Sequence, residues 1–299
     1  MAALTLQAQS ISGTLVGTIR DSTGAVVAAA KVRVVNAGTG TVIETQSNAD
    51  GDYVLPNLPP ATYNLRVELA GFRSVDVQQV KLLTSQTIRN DIRMEPGELQ
   101  QTIQVEAAAP VVASESSSLA NNVDSHTVVT LPLNGRTLDR LILITPGNTS
   151  DSPSNPKLAG SLHWGGNFFS IDGVAFNDLG NGGAAYSFQT ALSTTPSVDT
   201  IQEFKIETNN AKAEHEGSAA ISIITKSGTN DLHFTLFEFN RNRFAAAKEF
   251  FSTGLPKPAF NRNEFGATVG GPVIKNKTFF FGSYEGLRQR TARTNVLSV

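Results

Sequence analysis

The side chains able to carry chemistry are few and scattered. The 299-residue chain has four histidines, His126, His163, His215 and His233, and no cysteine. Only Glu214-His215-Glu216 groups candidate metal ligands, and a triplet without other ligands nearby reads as a solvated loop. The stretch Asn48-Ala49-Asp50-Gly51-Asp52 begins like a calcium loop, but no bidentate glutamate follows at EF-hand spacing, so it reads as a hairpin turn. Gly180-Asn181-Gly182-Gly183 neither follows a clear strand nor opens a helix with dinucleotide-binding spacing. Trp164 has a face to stack on a sugar, yet beside glycines and phenylalanines it reads as core or interface. No Ser/His/Asp set and no HExxH can be assigned. The expectation is a protein that is not an enzyme, with no catalytic, metal or cofactor-binding residue.

Composition narrows the partners. A formal net charge of -2 with no basic block excludes a nucleic-acid footprint. The absence of cysteine removes thiolate metal sites, disulfides and Cys nucleophiles, but leaves the compartment open. No run approaches the ~18 apolar residues of a membrane helix. Residues 1–9, MAALTLQAQ, read as a signal-peptide remnant: an apolar core and small-residue region with no Lys or Arg before Arg20, as if the start were truncated.

The elements around these residues are mainly β. From 10 to 97, short alternating segments recur between turn residues, the pattern of a small antiparallel β-sandwich. In its fifth segment Tyr63, Leu65, Val67 and Leu69 share one face while Asn64, Arg66 and Glu68 share the other. Residues 98–130, rich in Ala, Ser and Asn, read as a connector with one β-prone island at 102–107. Residues 131–229 read as a small α/β domain, with a helix over 134–147, a strand pair turning at Asp172-Gly173, and strands over 199–209 and 219–228. In the remainder, 230–299, three stretches have the ~9–11 residue length of outer-membrane strands. There Phe265, Ala267, Val269 and Val273 alternate against Glu264, Gly266, Thr268 and Gly270. Phe279, Phe280 and Phe281 must point to both faces: Phe279 and Phe281 fall on one, Phe280 and Tyr284 on the other. One pair is then available to lipid or the aromatic girdle and the other to whatever fills the lumen.

Residues 48–72, NADGDYVLPNLPPATYNLRVELAGF, resemble the carboxypeptidase regulatory-like domain, a seven-stranded prealbumin-like, carbohydrate-binding-like sandwich. The matching positions are Gly51, Tyr53, Leu58, Pro59 and Tyr63; Ala61 stands where that family has glycine. The resemblance implies an accessory domain without catalytic zinc. LPLNGR, IDGV, IQEFKIETNNAKAEHEGSAAISIITKSGTN and EFGATVGGPVIKNKTFFFGSYEGLR are similar to the plug and early barrel of Oar-like TonB-dependent transporters. His215-Glu216 departs from that pattern, which has an aromatic followed by glycine. The island Thr102, Ile103, Gln104, Val105, Glu106 and Ala107 resembles a TonB box, an extended segment that adds a strand to TonB's sheet edge.

The resemblance implies an outer-membrane transporter with its N-terminal domain in the periplasm and a plug that rearranges during energy-coupled uptake. Its partners would be TonB with its inner-membrane energising complex, outer-membrane lipid, and a substrate such as an oligosaccharide or siderophore; no cofactor is implied. Because such barrels need about 22 strands, the chain reads as a fragment truncated early in its barrel. The sandwich taken alone supports an alternative, a carbohydrate-binding or adhesive cell-surface module without transport.

Overall fold

A computed structural model describes residues 11–97, 119–131, 167–175, 196–209, 219–247 and 257–291, the backbone of 102–106, and the separate residues 136, 145–148 and 158. The chain divides into two compact units between Lys226 and Ser227.

The first unit opens with the sandwich. Its strands are β1 (Gly13–Asp21), β2 (Lys31–Asn36), β3 (Val42–Gln46), β4 (Asp52–Leu58), β5 (Ala61–Glu68), β6 (Ser74–Leu82), β7 (Thr87–Arg89) and β8 (Ile92–Met94). One sheet has the order β4-β1-β7, with β8 also on β1; the other contains β3-β2-β5-β6. Alternation along each strand sends Leu15, Ile19, Val32, Val34, Tyr63, Leu65, Val67, Val75 and Val77 into one shared core. Each such side chain contributes roughly 1.5–3 kcal/mol by leaving water.

The sandwich is not wholly antiparallel, as the sequence pattern suggested. Both β7 and β8 pair with β1 in parallel. Antiparallel pairing is imposed only on strands joined by a tight turn, and the chain crosses from one sheet to the other after β6. Strands β7 and β8 are two halves of one edge, interrupted at Asn90-Asp91. Asn90 donates its N–H to the Val16 carbonyl at 2.8 Å, and Asp91 Oδ1 accepts from the Thr18 N–H at 2.8 Å. Gly17 makes room for the interruption: a Cβ there would lie 2.0 Å from the Asn90 oxygen. Left-handed backbone falls on Asn57 (φ 56°), not on Ala61, which simply begins β5. Asparagine tolerates that region better than alanine, so the glycine departure leaves no strain at residue 61.

The stretch read as a connector is structured where it is described. Strand β9 (Thr102–Glu106) joins the outer edge of β6, whereas β10 (Leu119–Asp124) and α1 (Ser125–Thr130) belong to the next sheet. Asp124 caps α1, accepting the Thr127 N–H at 2.9 Å. Strands β11 (Asn167–Ile171), β12 (Val174–Ala175), β13 (Ile201–Asn209) and β14 (Ala219–Thr225) complete this sheet in the order β10-β13-β14-β11-β12. The β11–β12 hairpin turns at Asp172 (φ 49°) and Gly173 (φ 79°), the doubly left-handed geometry of a two-residue hairpin. The Asp172 carboxylate also accepts from the Thr225 N–H and hydroxyl at 2.9 and 2.7 Å, tying the hairpin to the end of β14. Most of the helix expected over 134–147 lies outside the described residues.

The second unit is one antiparallel sheet, β15 (His233–Asn242), β16 (Phe260–Ile274) and β17 (Thr278–Thr291), in sequential order. A tight turn at 275–277 joins the last two, with Asn276 at φ 61°.

Candidate functional site

The sandwich motif does mechanical work. The Tyr53 hydroxyl donates to the Asn90 carbonyl at 2.7 Å, holding the break between β7 and β8. Tyr63 donates to the Pro59 carbonyl at 2.7 Å, closing the β4–β5 turn on the fully buried Leu58. Burial pushes both phenols above the ordinary tyrosine range, so neither supplies a proton near neutrality. At Gly51 (φ 76°) a Cβ would lie 2.7 Å from the Ile19 carbonyl. Asn48 Oδ1 accepts from the Asp50 and Asp52 N–H groups at 2.9 Å each, so NADGD is an Asx-type turn.

Thr102, Ile103, Gln104, Val105 and Glu106 pair in parallel with Ser74, Val75, Asp76, Val77 and Gln78 respectively. Ala107 lies outside the described residues.

The neighbouring sheet has two unlike faces. Val123, Phe204, Ile206, Ile221 and Ile223 pack on one side with Val128 of α1. On the other, Glu203, Lys205 and Glu207 alternate along β13, all nearly excluded from water, and Lys205 pairs with Glu207. Register sets Asn122 and Ser222 on either side of Lys205, and Ser222 accepts from the Ser170 hydroxyl at 3.2 Å. The buried atoms Glu207 Oε2 and Asn122 Oδ1 have no hydrogen-bond partner among the described residues. Charge on this scale is costly to bury unless matched, so this face belongs in polar surroundings rather than an apolar core. Arg136 of LPLNGR forms a buried ion pair with Asp199 at 2.7 Å.

Among the described residues, three contacts join this sheet to the sandwich. Glu203 accepts from the Thr84 N–H and hydroxyl, Lys81 reaches Asp124 at 3.2 Å, and Gln202 donates to the Pro60 carbonyl at 3.3 Å. Burial raises the Glu203 carboxyl above the usual range, opposed by the Thr84 hydrogen bonds and by Lys205 and Lys81. Sequence reading placed β13 as a strand but missed these partners. The period-2 pattern Glu203, Lys205, Glu207 against Phe204 and Ile206 was the available signal, and it names no partner.

In the three-stranded sheet, register resolves the phenylalanines. Phe280 and Tyr284 share a face with Phe265, Ala267, Val269, Phe234 and Leu236. That face is open: Phe234 is 72%, Leu236 75% and Tyr284 65% exposed. The other face carries Phe279 and Phe281 with Glu264 and Thr268, which are 4% and 5% exposed, and Arg262 bonds Glu264 at 2.9 Å. Glycines sit opposite rings across the strands: Gly266 against Phe237, Gly286 against Phe265, Gly270 against Phe281 and Gly271 against Phe280. A Cβ on Gly266 would lie 2.4 Å from the Phe237 ring, and one on Gly286 2.7 Å from the Phe265 ring. The glycine-and-phenylalanine-rich sequence is thus one packing device, each ring covering backbone that a glycine leaves bare.

His126 and His233 are exposed and far apart in sequence; His163, Trp164, 180–183 and 214–216 lie outside the described residues. Among the described residues no three His, Asp or Glu groups converge to hold a metal.

Comparison with known proteins follows these divisions. Residues 14–95 match the carboxypeptidase regulatory-like domain, and residues 224–299 match the outer membrane beta barrel domain. The chain is 26% identical over 308 residues to the TonB-dependent transporter Oar of Myxococcus xanthus, covering 96% of this chain and 28% of that protein. It therefore spans less than a third of the length of that relative. Among solved structures, hydroxyquinol 1,2-dioxygenase from Pseudomonas putida DLL-E4 aligns with 30% of this chain and 58% of its own at 9% identity and TM-score 0.25. A group B streptococcus pilus 2b backbone protein aligns with 29% of this chain and 42% of its own at 21% identity and TM-score 0.24. Likenesses this low carry no argument about fold or activity.

Proposed function

We propose that this chain forms the accessory domain, plug and first wall strands of a TonB-dependent outer-membrane transporter. The observation that carries the reading is the three-stranded sheet, which exposes Phe234, Leu236, Val269 and Tyr284 in register on one face while Glu264 and Thr268 are buried on the other, beside exposed Phe239 and Leu287. Water disfavours such a face and a bilayer accepts it. The similarity to Oar supports the same reading. In it, the sheet with buried Glu203, Lys205 and Glu207 is the plug, whose charged face suits a polar lumen. Residues 102–107 are the segment TonB takes, the N-terminal sandwich sits in the periplasm, and the transported substrate is an oligosaccharide or a siderophore. The chain supplies binding and mechanical coupling rather than catalysis.

Capture of the detergent-solubilised chain by the periplasmic domain of TonB tests this function. The wild-type chain should be captured, and deletion of 102–107 should abolish capture. Equal capture of both would place the TonB-binding segment elsewhere; recovery of the wild-type chain in the soluble fraction without detergent would argue against a membrane protein altogether.

A further inference from the structure

The exposed apolar face of the three-stranded sheet changes character abruptly along the strands. Leu236, Ala267 and Tyr284 form one row of that face, and Phe265 stands in the next. The two rows beyond hold no apolar residue: Asn240, Asn263 and Arg288 lie opposite one another, then Asn242, Asn261 and Arg290. The four asparagines form one network. Asn240 Nδ2 donates to the side-chain oxygens of Asn263 and, at 3.3 Å, Asn261, while Asn242 Nδ2 donates to Asn240 Oδ1 at 2.8 Å. The amide nitrogens of Asn261 and Asn263 are left as donors without a partner among the described residues. Arg288 and Arg290 stand beside this block, on one face of β17 and roughly 6.8 Å apart along the strand. Both are exposed, and neither makes an ion pair among the described residues. One row inward stands Glu238, so this part of the face sets two guanidiniums against one carboxylate. The whole end is basic. Arg241, Arg243, Arg262, Arg288 and Arg290, the arginines described in this unit, all fall at the end of the strands away from the 275–277 turn.

We propose that this asparagine and arginine block is a docking surface for the phosphorylated sugar headgroup of a glycolipid in the leaflet beside it. This rests on the transporter reading above. There the chain enters the wall from the periplasmic side, so β15 runs outward and its Asn242 end reaches the outer leaflet. The tight turn at 275–277 then falls at the periplasmic end, where the turns of such barrels are short. With Leu236, Ala267 and Tyr284 against acyl chains, the next rows stand level with the headgroups. Two guanidiniums on one face hold phosphate by charge-assisted hydrogen bonds. The asparagine amides, which donate and accept, match the hydroxyls of a sugar ring, and a simple phospholipid offers no such ring. A cavity of about 410 Å³, lined by Asn242, Asn261 and Arg290 with Arg243, Phe244 and Phe260, opens at the same end and is of the size that takes a small polar ligand. A headgroup held there fixes the depth at which the first wall strands sit.

Vesicle flotation of the full chain, offered from detergent, tests this. The vesicles are phosphatidylcholine alone, phosphatidylcholine with phosphatidylglycerol, and phosphatidylcholine with diphosphorylated lipid A. Lipid A should lower the lipid concentration for half association by at least about tenfold relative to either other mixture. Arg288→Gln with Arg290→Gln should remove that preference. Arg288→Lys with Arg290→Lys keeps the charge and should retain most of it, and Lys275→Gln with Lys277→Gln, at the opposite end of the sheet, should retain all of it. Asn261→Ala with Asn263→Ala should bring lipid A down to the level of phosphatidylglycerol. Equal association of the wild type and the glutamine pair with lipid A vesicles would overturn the proposal. So would equal association of the wild type with phosphatidylglycerol and lipid A, because any anionic surface would then serve. Equal association with all three mixtures would overturn it while the membrane reading stands; association with none would overturn both.

Discussion

Glu203, on an interior strand of the sheet that follows the sandwich, accepts two hydrogen bonds from Thr84 of the sandwich, from its N–H at 3.1 Å and its hydroxyl at 2.9 Å. Both residues are buried, and 119 residues separate them in the chain. The contact begins two residues after β6 ends, so the strand that holds β9 leads directly to the sheet that carries Glu203.

Removing the Thr84 hydroxyl with Thr84→Val leaves a buried carboxylate short of one donor. The expected loss is about 1–3 kcal/mol in urea unfolding. The pH dependence has a definite sign. Burial raises the Glu203 pKa on folding, so its contribution is fully present below the ordinary value of 4.5 and is lost as pH rises through the raised value. Glu203→Gln cannot titrate. Relative to wild type it should gain stability between pH 4.5 and neutrality, and parallel stability curves would contradict the assignment.

Asp124 has the opposite sign. The hydrogen bond from the Thr127 N–H, with those of the Thr127 hydroxyl and Lys81, lowers its pKa to about 2. Its capping contribution is present above the ordinary value of 3.8 and declines as pH falls toward 2. Asp124→Ala should cost about 0.5–2 kcal/mol at neutral pH, as for other N-caps, with the difference shrinking below pH 3.8. Lys81→Ala should change stability by less than about 1 kcal/mol, because its ion pair with Asp124 is half exposed.

The Asn90 carbonyl is the keystone of the sandwich edge. Tyr53→Phe keeps the ring but strands that carbonyl, at an expected cost of about 1–3 kcal/mol. Gly17→Ala drives a Cβ into the same oxygen and should cost about 1–3 kcal/mol as β8 is pushed away. Tyr63→Ala should cost about 3–5 kcal/mol, since the ring is almost wholly buried. Thermal unfolding of the three variants measures all of these; a Tyr63→Ala change within error would mean that the ring contributes no core packing.

On the barrel strands, the two faces should respond differently to charge. Leu236→Arg puts a guanidinium on the apolar face and should destabilise the lipid-embedded protein by about 2–4 kcal/mol. Thr235→Arg, one residue away on the other face, should cost far less. Urea titration in lipid vesicles distinguishes them, and equal losses would remove the assignment of faces.

The alternation along β5, the paired turn residues of IDGV and the two-faced pattern of β16 follow from local chemistry, because period-2 burial and left-handed turns are written in neighbouring residues. What neighbours could not encode was which edges meet. The parallel seat of β7 and β8 on β1, the docking of 102–106 on β6, and the grip of Glu203 on Thr84 all join segments whose sequences contain no reference to one another. TIQVE carries one alternating pattern, suited equally to a linker strand, a partner's sheet edge or the edge of β6. A strand's hydrogen bonds are the same for every partner, so tertiary packing, by presenting the Val75 and Val77 edge beside it, decides which one it takes.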